Sequence, residues 1–94
     1  MMAKFYLISF NFEGRKAPTE AINTVLNKAA DWVAYAPNCW IIYSTQEKAG
    51  IWYTRLKKVI DNDDSIFVCE LNILNRQGWL PQNVWEWIDK DRDS

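Results

Sequence analysis

The sequence predicts an α+β domain, an antiparallel sheet with two helices on one face and a short C-terminal helix. Three observations predict it. Residues 4–12, 32–36, 39–44 and 65–73 are dense in aromatic and β-branched side chains, the composition of strands. Two segments between them carry apolar residues at helical spacing. Their order is strand, helix, strand, strand, helix, strand, which is the split βαβ or ferredoxin-like βαββαβ arrangement.

Each element has its own signal. The first strand, residues 4–12, meets no Gly or Pro until Gly14. Pro18, Thr19 and Glu20 suit a helix start, and Ile22, Val25, Leu26 and Ala29 then form one apolar stripe, which predicts a helix over 18–30. Asp31 breaks the stripe, and Pro37-Asn38 turns the chain between the next two strands. Ser44 and Glu47 have the spacing of a capping box for a second helix. Ala49, Trp52, Leu56, Val59 and Ile60 share its apolar face, although Gly50 weakens its first turn. The run DNDDS stops that helix and admits the last strand, residues 65–73. The terminal helix is entered at Pro81, with Val84, Trp85 and Ile88 to one side.

Length and composition bound the function. Ninety-four residues make one domain, 1–94, and 49% hydrophobic with 24% charged residues excludes disorder. A net charge of -1 gives no global basic field, so nucleic-acid affinity must come from a local patch. No apolar run approaches the roughly 20 residues of a membrane span. Cys39 and Cys69 each fall within a strand, which reads as two core thiols in a reducing cytoplasm.

On the first strand Tyr6, Ile8, Phe10 and Phe12 share one face, and Phe5, Leu7, Ser9 and Asn11 the other. On the last, Phe67, Cys69, Leu71 and Ile73 share one face, and Ile66, Val68, Glu70 and Asn72 the other. The more apolar sets are expected under the helices. The second face is still half apolar, with only the terminal segment left to cover it, and this points to a sheet-on-sheet homodimer. Phe5, Leu7, Ile66, Val68, Trp79, Trp85 and Trp87 are its candidate interface residues. Trp85 and Trp87 diverge by roughly 200° on a helix, so one of them should be exposed or taken up by a partner.

A strand LISFNF, a later WIIYST strand running into a helix, then VIDNDDSIFV and finally GWLP together resemble the SinR-like group of small bacterial and phage-borne proteins. That group is similar in fold to the CRISPR-associated adaptation and endoribonuclease family. The resemblance implies a ferredoxin-like homodimer in which an aspartate ending the first strand of each subunit binds a metal. The matching position here is Asn11, and a neutral amide cannot supply the charge that holds a hard divalent cation. The resemblance therefore implies a lapsed or repurposed site, and a plain strand end is the other reading.

Other chemistry is thin. The chain has no histidine, the commonest general base and metal ligand. Asp61, Asp63 and Asp64 lack the Gly and the terminal acid of a calcium loop, whose places are held by Ile66 and Asn72. They read as a polar turn. No metal, cofactor or catalytic residue is expected, and an enzyme is the minority reading. Asn11-Phe12 echoes the first-strand motif of RNA-recognition domains, but their second motif is missing. Asn11, Arg15, Lys16, Arg55 and Lys58 are the candidate nucleic-acid contacts. The expected function is a dimeric, non-catalytic binding protein that engages nucleic acid or a complex handling it. The alternatives are a protein-binding effector, such as a phage or antitoxin-type inhibitor of a host protein, and a metal-dependent nuclease.

Overall fold

A computed structural model describes residues 3–45 and 48–92. Seven elements follow in chain order: β1 (Lys4–Asn11), α1 (Thr19–Leu26), β2 (Asp31–Ala36), β3 (Cys39–Ser44), α2 (Ala49–Lys57), β4 (Ser65–Leu71) and α3 (Gln82–Asp89). The strands form one sheet in the order β2-β3-β1-β4, and every neighbouring pair is antiparallel. Among the described residues the domain is therefore α+β, with four antiparallel strands and three helices. Among the described residues no helix is long and apolar enough to cross a membrane.

The two central strands are the most apolar, because both their faces are covered. Tyr6, Ile8 and Phe10 of β1 and Trp40 and Ile42 of β3 are buried with Ile22 and Leu26 of α1 and Trp52 and Leu56 of α2. Trp52 is fully buried, and its indole N–H donates to the Ser44 hydroxyl at 3.1 Å. The capping-box expectation pairs this serine with Glu47. Ser44 closes β3 and serves the core, while α2 opens at Ala49 behind Lys48 with no side-chain cap among the described residues. Glu47 lies outside the described residues.

α1 is shorter than its apolar stripe. The Ala30 N–H is taken by the Tyr43 carbonyl at 2.9 Å, so the chain has joined the sheet before the stripe ends. Lys28 and Ala29 bond three residues back, the tightening of a final turn. Asn38 reverses the chain between β2 and β3 at φ 61°, a conformation asparagine tolerates. β4 stops at Leu71, two residues short of expectation. There the Asn72 side chain accepts the Leu74 N–H at 3.2 Å and turns the backbone.

The register corrects one expectation. Phe67, Cys69 and Leu71 stand opposite Ser9, Leu7 and Phe5, so they lie on the face away from α1 and α2. Ile66 and Val68 pack instead under those helices. Counting apolar residues misleads on β4 because it is an edge strand, where an outward side chain such as Phe67 stays 60% exposed. The second face is also not bare. Val84 and Ile88 of α3 bury against Ile41, with Phe5, Leu7, Val33 and Leu71 around them. The terminal helix of the same chain thus packs on the face that suggested a sheet-on-sheet dimer.

Candidate nucleic-acid interface

The loop after β1 carries Asn11, Arg15 and Lys16. Asn11 is exposed, and its amide donates to Glu13 Oε2 at 3.0 Å. Gly14 turns the loop at φ 65°, where any side chain would be strained. Arg15 is then drawn inward. Its guanidinium bonds the Asp64 carboxylate, approaches Asp61 Oδ2 at 3.2 Å and lies 5.3 Å over the Phe12 ring. Asp64 also accepts the Asp61 N–H at 2.8 Å, and its side chain is only 1% exposed. The Arg15 bond holds the Asp64 carboxyl below its ordinary value against the opposing effect of burial, and the same bond raises Arg15. DNDDS is thus a turn locked to Arg15, which ties the end of β1 to the start of β4. Arg15 is an internal tie, while Lys16 remains exposed.

Arg55 lies on α2 and Lys58 at its C-terminal cap. Lys48, Ile51, Arg55 and Lys58 follow spacings of three, four and three, which places them in one stripe along the helix. Thr54 lies beside them. The chain from Lys48 to Ile60 contains no acidic residue. Among the described residues the ion pairs fall on Lys4, Arg15, Arg76, Lys90 and Arg92, and none on the cations of α2. The Arg55 guanidinium lies 4.8 Å over the Trp52 ring, which fixes its position. Lys48, Gly50, Ile51, Thr54 and Arg55 line a shallow groove of about 450 Å³. Lys48 escapes notice in the sequence because Gly50 obscures where the helix begins. With the start at Ala49, it falls on the stripe.

The remaining candidates are on the other side of the sheet or in the loop after β4. Trp85 and Trp87 flank the buried line of α3 and are both half-buried, so neither is left wholly exposed. Arg76 lies over Trp85 at 5.8 Å. Arg92 lies over Trp87 at 4.3 Å, Tyr43 at 4.9 Å and Phe5 at 5.3 Å. Its guanidinium also donates to the Trp87 carbonyl at 2.6 Å and reaches Asp31 at 3.5 Å. Burial pushes the Asp31 carboxyl up, but three donors more than offset this and leave it below its ordinary value. They are the Trp87 indole N–H (outside full hydrogen-bond geometry), the Lys90 ammonium and the Trp32 backbone N–H. Trp79 is 99% exposed and Leu74 91%. Phe12 is buried and stacked on Phe10 at 5.3 Å, so it offers no face to a base.

Cys39 and Cys69 are free thiols on the strands flanking β1, opposite Ser9 and Leu7. Among the described residues no group of three or more potential ligands is placed to hold a metal. Compared with protein-family models, curated proteins and solved structures, the chain matches none, so the SinR-like resemblance rests on its sequence pattern alone.

Proposed function

We propose that this chain is a non-catalytic binding protein of ferredoxin-like architecture that engages nucleic acid along α2. The strand order, read from the opposite edge as β4-β1-β3-β2, supports the architecture, as does the shared core of α1 and α2. The observation that carries the function is the cationic stripe of Lys48, Arg55 and Lys58, which has no ion pair among the described residues, on a chain whose net charge is -1. Lysines bind phosphates as point charges, whereas the planar guanidinium of Arg55, placed 4.8 Å over the Trp52 ring, can meet two phosphate oxygens at once. Ile51 and Thr54 between them suit the sugar. Such contacts position a backbone without reading sequence, so weak sequence preference follows. Stacking of bases on the sheet is not part of this reading, since α3 covers the face and Phe12 is buried.

The test is fluorescence anisotropy of labelled single-stranded RNA and duplex DNA at two salt concentrations, with the strand checked on a gel. Three phosphate contacts predict a logarithmic salt slope of about -2 to -3. Triple substitution Lys48→Ala, Arg55→Ala and Lys58→Ala should abolish the binding. A cut strand that needs magnesium or manganese would favour the nuclease reading instead.

One observation favours a protein-binding effector. Trp79 and Leu74 stand almost bare beside a groove of about 270 Å³ whose apolar lining includes Leu71, Ile73, Leu80, Trp85 and Ile88. An exposed tryptophan next to an apolar groove is the composition of an interface anchor. That reading requires a host protein that co-purifies with the wild type and is lost with Trp79→Ala.

A further inference from the structure

The sheet ends in two edges of unlike construction. The β2 ladder is broken by a bulge between Ala34 and Ala36, and Asp31 at its start is tied to Lys90 and Arg92 behind α3. A bulge and a covering segment both blunt an edge against another chain. β4 has neither. It pairs with β1 without a break from Phe5↔Leu71 to Asn11↔Ser65, and it contains no Pro, Gly or Lys. Its one charge, Glu70, is matched by Lys4 at 3.4 Å. Phe67 stands 60% exposed at its middle.

We propose that β4 pairs antiparallel with β4 of a second copy, about a two-fold axis at Val68. An antiparallel two-fold keeps each face of the sheet on its own side, so opposed residue numbers must add to an even sum. Few registers then remain. Centring on Phe67 sets Glu70 against Asp64 of the second copy, and centring on Glu70 sets two carboxylates face to face, both unfavourable. Centring on Cys69 leaves Ser65 and Ile66 opposite residues beyond the strand. The Val68 register pairs all seven residues and opposes no like charges. It also places each exposed Phe67 against Cys69 of the other copy, a sulfur–aromatic contact. α2 packs against β4 on the helical side, so the pairing brings two cationic stripes close to the axis on one side of a continuous sheet.

The assembly is read by mass and the proposed nucleic-acid binding by anisotropy, so either can fail alone. Light scattering should give twice the 11.1 kDa chain mass, falling to the monomer for Phe67→Lys with an unchanged circular dichroism spectrum. In a Cys39→Ser background, Phe67→Cys should cross-link on oxidation, and the link should vanish when Cys69→Ser is added. Without Phe67→Cys, that background should not cross-link. A monomer at every concentration, or a dimer indifferent to Phe67→Lys, overturns the proposal. A cross-link through Cys69 alone overturns its register.

Discussion

Arg92 and Arg15 show how one cation can be spent inside the fold. Arg92 packs against three aromatic rings while its guanidinium meets Asp31 and the Trp87 carbonyl, so it pins the end of α3 to the sheet. Arg92→Ala should cost about 2 kcal/mol in urea unfolding, from lost cation–π contact and a lost charged hydrogen bond. Arg92→Met, which keeps the apolar stem, should recover part of that cost. Ser44→Ala strands a buried indole N–H and should cost about 1–3 kcal/mol. Asp31 and Asp64 set the acid limb. Both have folded values below the ordinary 3.8, so their stabilisation is complete above that value and is lost as pH falls through the lowered ones. Thermal midpoints should be flat from neutral pH down to about 5 and fall steeply below 4. Asp64→Asn should lower the midpoint at neutral pH and make the acid fall shallower. An unchanged acid limb would show that the Arg15 tie does not contribute to stability.

At the scale of elements, α3 decides what the outer face can do. Its short amphipathic turn sequence was legible: Val84 and Ile88 are buried as their spacing requires, and Trp85 and Trp87 straddle them. Its destination was legible only by elimination, as the one segment left to cover the second sheet face, because periodicity states that a face is buried without stating against what. Val84→Ala should therefore cost about 2 kcal/mol and expose the β1 outer residues Phe5 and Leu7, visible as a rise in tryptophan emission wavelength. The strands were legible to within two residues wherever turn chemistry was local, as at Pro37-Asn38. The helix α1 was less legible, because a distant partner ends it, the Tyr43 carbonyl taking the Ala30 N–H. The faces of β4 were read backwards for a related reason. Composition cannot distinguish an edge strand, whose outward Phe67 stays in water, from a central one.

Over the whole molecule, charge is divided so that a chain of net charge -1 still presents a cationic surface. Carboxylates at Asp31, Asp61, Asp64, Glu70 and Asp89 are matched by nearby Lys or Arg side chains, while the stripe on α2 is left without a counter-charge among the described residues. That Arg55 and Lys58 share one side of α2 was legible from their spacing, whereas the tie of Arg15 to Asp64 was not, because its partner lies 49 residues away. The most direct measurement is the salt dependence of anisotropy for labelled single-stranded RNA, with wild type and the triple variant Lys48→Ala, Arg55→Ala, Lys58→Ala compared under one protocol. Salt-sensitive binding by the wild type and none by the triple variant is the result predicted. Equal binding by the two proteins, or no binding by the wild type at low salt, would contradict it.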